Sequence, residues 1–172
     1  MMQAIKQSEA DFILDTATDA DFEAIKSIFF QVIDEGETYS YERESLSDAW
    51  IHDYWLKNCV ATLVARCDGN VAGVCAIRVN RAGRGNHVAN ASYIVDARYR
   101  GRGIGHALGL ASLQLAKEKG FKAMQFNFVV STNVKAVALW QSLGIEIVGT
   151  LPGAFRHSRH GFVDAYVMHK GL

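Results

Sequence analysis

A chain of 172 residues, 49% of them hydrophobic, is long enough to bury a sizeable core, and we expect residues 1–172 to form a single domain. Its 18 basic and 18 acidic residues give a formal net charge of zero, which removes the electrostatic case for nucleic-acid or membrane partners. The apolar runs are too short to span a bilayer, the first ten residues lack a secretion signal, and the three cysteines indicate neither a disulfide framework nor a zinc site. We therefore expect a cytoplasmic location and no metal.

Hydrophobic periodicity predicts strands and helices along the whole chain. In chain order, the expected elements are a strand at 12–16, helices at 22–33 and 47–57, strands at 59–66, 71–79 and 89–95, a helix from 104, a strand at 123–130, a helix at 133–143, and strands at 145–150 and 163–168. The spacing of Thr18 and Asp21 predicts a capping box before the first helix. A loop containing Phe155 to His160 is expected between the last two strands. Because hairpins come first and a crossover later, the pattern predicts a mixed sheet.

The most informative stretch lies between the predicted strand at 89–95 and the helix that follows it. It reads Arg100-Gly101-Arg102-Gly103-Ile104-Gly105. The glycines let the backbone turn sharply, so that the N–H groups of the first helical turn point outward at the positive end of the helix dipole. Such a turn binds phosphate oxygens, and the two arginines add positive charge. The stretch therefore predicts a site for a phosphorylated cofactor.

Spacing excludes two common phosphate-binding motifs. A G-x-G-x-x-G pattern that starts at Gly101 ends on His106, and one that starts at Gly103 ends on Leu108. Since neither final position is small and no suitable acidic residue follows the helix, a dinucleotide fingerprint is absent. No Gly-Lys-Ser/Thr closes the stretch as a Walker loop requires. For these six residues alone, a helix start without a ligand is the alternative.

Two motifs resemble the GCN5-related N-acetyltransferases (GNAT). Arg100, Gly103 and Gly105 match that family's pyrophosphate loop, Arg/Gln-x-x-Gly-x-Gly/Ala. The family's Asn-x-x-Ala-x-x-Leu-Tyr-x-x-x-Gly-Phe stretch is resembled by Asn133, Ala136, Leu139, Trp140, Gly144 and Ile145. The resemblance implies an α/β (α+β) GNAT fold, in which a mixed, mostly antiparallel sheet of six to seven strands is flanked by about four helices. It also implies acetyl-coenzyme A as the co-substrate.

Shorter stretches resemble two branches of that family that act on small amino acids. Residues 36–39, 126–127 and 163–165 resemble the branch that acetylates azetidine-2-carboxylate and other proline analogues. Residues 149–151 with 155–157 are similar to phosphinothricin-type enzymes. The resemblance implies an N-acetyltransferase that acts on the amine of a small molecule, an amino acid or an analogue. Peptide or protein N-acetylation and a non-catalytic acyl-coenzyme A sensor are the alternatives.

The same resemblance implies where the coenzyme lies. We expect it between the strands at 89–95 and 123–130, where these splay apart, with its pantetheine arm along the backbone of Ile94 and Val95. Its pyrophosphate is expected on the N–H groups from Gly101 to His106. The residues expected to bind the coenzyme are Ile94, Val95, Arg100, Gly101, Arg102, Gly103, Ile104, Gly105, His106, Asn133, Ala136 and Trp140.

The implied reaction is direct attack of an amine on the thioester, with a backbone N–H near Val95 as the expected oxyanion donor. Where the family often has a tyrosine that protonates the leaving sulfur, this chain has Trp140, whose indole N–H has no useful acidity. A thiol of pKa about 8.5 leaves as thiolate at pH 7 at a cost of about 2 kcal/mol, so we expect no strong general acid. A hydrogen bond from Asn133, Ser131 or water would offset that cost. Core packing is the alternative role for Trp140.

Two asparagines in strand interiors are the acceptor-site candidates, because asparagine is a poor strand former. They are Asn90 and Asn127, whose amides can orient an amine or a carboxylate without adding charge. A buried amide that fixes strand register is the alternative. Alternation along the later strand predicts Phe126 and Phe128 on one face and Asn127 and Val129 on the other.

Charged side chains around the expected acceptor site suggest further contacts. Residues 34–53 hold seven acids and one base, so we expect Glu37 or Tyr39 to attract a cationic amine, with solvated helix faces as the alternative. His157 is a candidate to take a proton from the amine or to bind a carboxylate, and a structural histidine is the alternative. Because similar proteins are commonly dimers, a homodimer is also expected.

Overall fold

The computed structural model describes residues 11–172, and these form one seven-stranded sheet with helices on both faces. The strands are β1 (Ile13–Thr16), β2 (Ala61–Cys67), β3 (Asn70–Val79), β4 (Val88–Val95), β5 (Ala123–Val130), β6 (Glu146–His157) and β7 (Gly161–Gly171). The helices are α1 (Phe22–Asp34), α2 (Asp48–His52), α3 (Ile104–Glu118) and α4 (Val134–Ser142). None of the helices in this part of the chain is long and apolar enough to cross a membrane.

The strand order in the sheet is β1-β2-β3-β4-β5-β7-β6. Neighbouring strands are antiparallel except β4 and β5, which run parallel and are connected through α3. The predicted order of elements and the mixed, mostly antiparallel fold are therefore confirmed.

The sheet separates two apolar clusters. On one face, Phe29 and Ile25 of α1 pack with Val74 and Ile94 of the sheet. On the other face, α3 and α4 cover a cluster that includes Leu108, Met124 and Trp140. Strands β2 and β3 are almost continuously buried because both of their faces are covered by helices.

Two predicted elements differ from the structure. The first half of the loop expected at Phe155 to His160 is strand, since β6 continues to His157 and pairs there with Gly161, and residues 158–160 form the turn to β7. Exposed polar residues alternate with the buried Phe155 and His157, so the stretch is a half-buried strand in spite of its polarity. The helix predicted over 47–57 is divided, with α2 followed directly by a π-helical turn at Asp53–Lys57.

The predicted alternation along β5 is wrong beyond Phe126. A bulge between Phe126 and Val129 sets one extra residue of β5 against β7. As a result Val129 joins the buried face of Phe126, while Phe128 is 37% exposed and contacts Phe155.

The parallel pairing of β4 and β5 is short, and this creates the space for the site. Only Val88 with Ala123 and Ala89 with Met124 are paired within the described chain. Beyond these pairs the two strands diverge, as the family resemblance implies. Both α3 and α4 begin beside the resulting gap.

Candidate active site

A cavity of about 980 Å³ occupies the gap between β4 and β5. Its walls are formed by β4 residues 90–95, β5 residues 126–130, the first turns of α3 and α4, residues 37–41, Tyr54 and His157. Most residues expected to bind coenzyme or acceptor lie in this lining, including Glu37, Tyr39, Asn90, Asn127 and His157. Arg102, His106 and Ser131 lie outside it. The structure therefore brings the two predicted sites into one cavity.

The register of β3 and β4 determines which backbone groups face the gap. The amide of Asp96 donates to the carbonyl of Ala72 and the amide of Asn80 donates to that of Val88, so β4 residues with even numbers form the hydrogen-bonded pairs with β3. The N–H and C=O groups of Tyr93 and Val95 consequently point toward the gap. Those of Ile94 turn toward Val74 instead, so the exposed edge expected at Ile94 and Val95 belongs to Tyr93 and Val95.

The glycine-rich turn forms an open cradle at the start of α3. Gly101 and Gly103 have φ of 79° and 80°, a left-handed conformation that strongly favours glycine. An ideal Cβ at either residue would meet nothing within 4 Å, so space remains in front of the turn. The first amide of α3 that bonds back to the turn is that of Ala107, which donates to the Gly103 carbonyl at 3.0 Å.

The amides before Ala107 belong to the first helical turn and have no acceptor within the helix. They are available to an anion at the positive end of a helix of 15 residues. An open left-handed cradle backed by unbonded amides fits a diphosphate group, which acetyl-coenzyme A carries. These residues are therefore suited to hold that co-substrate.

Of the two arginines in the turn, only Arg100 reaches the cavity. Its guanidinium forms an ion pair with Glu35 at 2.7 Å, and its Nε donates to the Val95 carbonyl at 3.3 Å. Arg102 instead lies over the ring of Tyr99, 5.3 Å from the ring centroid. Arg100 thus already bridges the acidic segment after α1 and the edge of β4.

The residues of the second motif are partly structural. Asn133 caps α4, because its Oδ1 accepts the amide N–H of Ala136 at 3.2 Å. Trp140 is 7% exposed, and the centroid of its ring lies 4.5 Å from the ring centroid of Tyr93 and 4.9 Å from that of Phe126. Trp140 therefore both lines the cavity and packs in the core.

Tyr39 connects the segment after α1 to the cavity wall. Its hydroxyl donates to the carbonyl of Tyr93 at 2.9 Å. Burial raises the pKa of Tyr39 well above its usual value, so the hydroxyl stays protonated at neutral pH. Beside it, Thr38 Oγ1 is buried without a hydrogen-bond partner in residues 11–172, and Thr38 also lines the cavity. An unpaired buried hydroxyl at a cavity is a candidate ligand contact.

An amide network crosses the point where the strands part. Gln125 Nε2 donates to Asn127 Oδ1 at 2.9 Å, and Asn127 Nδ2 donates to Asn80 Oδ1 at 2.6 Å. Asn127 therefore ties β5 to the end of β3 while it lines the cavity. One N–H of its amide group remains for a ligand.

The surroundings of His157 argue against its proposed role as a base. The ring is 6% exposed, and its Nδ1 accepts the amide N–H of Arg159 at 3.0 Å. In the neutral ring the other nitrogen, Nε2, then carries the proton and acts as a donor. Nearby, Arg159 forms an ion pair with Glu37, so the carboxylate expected to attract an amine already has a basic partner.

Many residues near the cavity were not predicted from the sequence, and three of them form a connected group. Tyr54 and Ser92 line it, and Arg78 lies directly behind them with its guanidinium bonded to Ser92. Arg78 follows an apolar run in β3, and that break in the pattern was an available signal. Within residues 11–172, no group of three or more His, Cys, Asp or Glu side chains is arranged to hold a metal ion.

Comparisons with known proteins identify the class of this fold and site. The model of the acetyltransferase (GNAT) family matches residues 22–145. A GCN5-related N-acetyltransferase from Kribbella flavida is 43% identical with a TM-score of 0.90, over 94% of this chain and 98% of that one. The chain therefore belongs to the GNAT family and is an acyltransferase of the N-acetyltransferase type.

Two curated relatives differ in how much of their length is matched. The L-amino acid N-acetyltransferase AaaT of Escherichia coli is 29% identical over 161 residues, which cover 92% of this chain and 97% of that protein. N-acetyltransferase aca1 of Schizosaccharomyces pombe is 37% identical over 99 residues, 57% of this chain. In that case the match spans about half of the relative's length, 47%.

At least two structural neighbours were solved with the co-substrate, and one of them illustrates the likeness. A phosphinothricin acetyltransferase from Sinorhizobium meliloti, in complex with acetyl-coenzyme A, has a TM-score of 0.84 at 23% identity, over 94% of this chain and 89% of that one. This likeness shows the shared fold.

Proposed function

We propose that this protein transfers the acetyl group of acetyl-coenzyme A to the amine of a small molecule, an amino acid or an amino-acid analogue. The observation that carries the proposal is one cavity that joins the glycine cradle to a wall of tyrosines and amides. Family membership supports the acetyl transfer. The relative that matches nearly the whole chain, an L-amino acid N-acetyltransferase, supports the amino-acid acceptor.

The coenzyme half of the cavity runs from the cradle along β4. The amides of Gly103 to Gly105 and the Arg100 guanidinium would hold the diphosphate, and the exposed backbone of Tyr93 and Val95 would bind the extended arm. When bound, the coenzyme supplies an acetyl thioester. The Val95 N–H points into the gap and would donate to the thioester carbonyl oxygen, where negative charge develops.

The acceptor half lies where β4 and β5 part. Asn127 and Asn90 would orient the amine, Tyr39 fixes the Tyr93 carbonyl, and His157 would act as a hydrogen-bond donor. With its oxygen used in the cap of α4, Asn133 has only its amide N–H groups to offer a leaving thiolate. Ser131 lies outside the cavity lining, and its part in the reaction stays a prediction.

The proposal is tested by incubating the purified chain with acetyl-coenzyme A and a panel of free amino acids, polyamines and short peptides. Release of coenzyme thiol and the mass of the acetylated product are measured together. We expect turnover with at least one amino acid and none with peptides. Coenzyme binding without transfer to any amine would support the sensor alternative, and turnover confined to peptides would contradict the small-molecule acceptor.

Asn127→Ala tests the acceptor half in the same assay. We expect a higher KM for the amine or a lower kcat, with coenzyme affinity little changed. Asn58→Ala, at an exposed position outside the cavity lining, is the matched control and should behave as the unmodified protein. Unchanged kinetics in Asn127→Ala would leave that amide with the structural role of tying β5 to β3.

A homodimer and a cytoplasmic location, both expected from the sequence, are also proposed. Support for self-association comes from Val148 and Phe162, apolar side chains that are 60% and 78% exposed near the β6 edge of the sheet. Light scattering at several concentrations tests the dimer, and a constant monomer mass would contradict it. Fractionation of cells that make the protein tests the location.

A further inference from the structure

Arg78 is a half-buried guanidinium with no acidic partner. It lies near the end of β3 on the face covered by α1 and α2, and within residues 11–172 it forms no ion pair. Other arginines beside the site have acidic partners, as in the pairs Arg100 with Glu35 and Arg159 with Glu37. Because charge is costly to remove from water, an uncompensated cation in such a place calls for an anion.

The neighbours of Arg78 hold it in one position against the cavity wall. Its Nη1 donates to Ser92 Oγ at 2.7 Å, and its Nη2 donates to the carbonyl of Tyr54 at 2.7 Å. The guanidinium also lies over the Tyr54 ring, 4.2 Å from the centroid. Its positive charge is therefore fixed directly behind two residues, Ser92 and Tyr54, that line the cavity.

The two hydroxyls between Arg78 and the cavity together have one O–H group that their mutual hydrogen bond does not use. Ser92 Oγ and Tyr54 Oη are 2.7 Å apart, and one of them donates to the other. Two hydroxyls carry two protons and this bond uses one, so one O–H remains. The hydroxyls of Tyr39 and Tyr41 lie close to Ser92 and Tyr54, but within residues 11–172 the Tyr54–Ser92 bond is the one hydrogen bond that this pair of hydroxyls donates.

We propose that Arg78, acting through the hydroxyls of Ser92 and Tyr54, makes this wall of the cavity the binding site for the carboxylate of the acceptor. The spare O–H donates to a carboxylate oxygen, and the fixed charge behind it favours an anion over a neutral group. Arg78 is a positioning residue that determines specificity, and it does not touch the reacting atoms. The inference rests on the proposed amino-acid acetyltransferase function.

The test compares an amino acid with its carboxamide, two acceptors that share the amine and differ in the charged group. For the unmodified protein we expect a higher kcat/KM with the acid. In Arg78→Gln the ratio of the two kcat/KM values should fall at least tenfold, mainly through the KM of the acid. Arg78→Lys, which keeps the charge, should retain part of the preference. Arg84→Gln, at an exposed position outside the cavity, removes the same charge and should leave the ratio unchanged.

The double variant Ser92→Ala with Tyr54→Phe keeps the proposal falsifiable if Arg78→Gln does not fold. It removes both hydroxyls and keeps the ring that packs against Arg78, so it should lose most of the preference for the acid. Calorimetry with the free amino acid, without coenzyme, gives a readout independent of turnover. If the unmodified protein acetylates no amine, the proposed function fails. If it acetylates amines and the acid-to-amide ratio is unchanged in both variants, or both acceptors lose activity equally, the role of Arg78 is overturned.

Discussion

Trp140 stands where related enzymes often carry a tyrosine, and its surroundings are those of a core residue. Its ring contacts both Tyr93 of β4 and Phe126 of β5, the two strands that part to form the cavity. The indole thus fills the space beneath the gap, which explains a tryptophan here without assigning it a proton to transfer. A thiolate leaving group makes a strong acid unnecessary near neutral pH.

Replacing that side chain tests whether an acid is missing. In Trp140→Tyr we expect little or no gain in kcat, because thiolate departure does not need the phenol. Since the smaller ring leaves space beside Tyr93 and Phe126, the free energy of unfolding should fall by about 1–3 kcal/mol. Steady-state kinetics and urea unfolding measure the two effects, and a large rise in kcat would contradict the prediction.

Residues were predictable from the sequence when their own neighbours in the chain carried the signal. Asn90 and Asn127 stood out because asparagine is unusual inside strands, and both line the cavity. Arg78 was not predicted as a site residue, because its position behind the cavity depends on contacts with Ser92 and Tyr54, which are distant along the chain. The tautomer of His157 likewise depends on a turn that closes only in the folded protein.

At the level of elements, the position of α3 decides where its first turn points. Two glycines let this helix pack closely against its neighbours, because a glycine has no side chain at the contact. An ideal Cβ on Gly73 of β3 would lie 2.7 Å from Ile104 Cγ2, and one on Gly109 of α3 would lie 2.7 Å from Leu143 Cδ1 and 3.0 Å from Trp140 Cζ3. These approaches seat α3 against the sheet and against α4, so its start faces the gap.

Gly109→Ala tests that packing. Helix propensity favours alanine by about 1 kcal/mol, whereas overpacking against the Trp140 ring costs about 1–3 kcal/mol. We expect a net loss of stability in urea unfolding. Leu110→Ala, on the exposed side of the same helix, is the control and should change stability little. A more stable Gly109→Ala protein would contradict this prediction, because it would show that the side chains of Trp140 and Leu143 can move aside without loss of stability.

The bounds of elements with strong hydrophobic periodicity were predicted within a few residues, whereas bulges and strand extensions were not predicted. The order of all eleven strands and helices followed from the sequence. The bulge in β5 did not, because it depends on how β7 pairs with it. The extension of β6 through Phe155 was hidden by polar neighbours that its exposed face tolerates.

For the molecule as a whole, a half-buried ion pair ties the start of α1 to the sheet. Asp21 receives two hydrogen bonds from Arg66 of β2, at 2.8 and 3.0 Å, and Asp21 is 7% exposed. The hydrogen bonds from Arg66 hold the pKa of Asp21 below its usual value.

The depressed pKa gives a pH dependence with a definite sign. The stability that Asp21 contributes is present above its unfolded-state pKa of about 3.9 and is lost as the pH falls through the lower pKa of the folded state. At pH 7, Asp21→Asn should lower the free energy of unfolding by about 1–3 kcal/mol, and the difference should shrink below about pH 4. Urea unfolding across this range measures it. A difference that stays constant down to pH 2 would contradict the assignment.

If amides at the start of α3 hold the diphosphate of acetyl-coenzyme A, calorimetry with the coenzyme should distinguish two glycine variants. Gly103 and Gly120 have φ of 80° and 88°, and neither has an atom within 4 Å of an ideal Cβ. Alanine at either position costs about 1–2 kcal/mol of backbone strain, but only Gly103 faces the expected phosphate. We predict that Gly103→Ala weakens coenzyme binding at least tenfold and that Gly120→Ala leaves it unchanged. No heat of binding with the unmodified protein, or equal affinity in both variants, would rule out a diphosphate site at this turn.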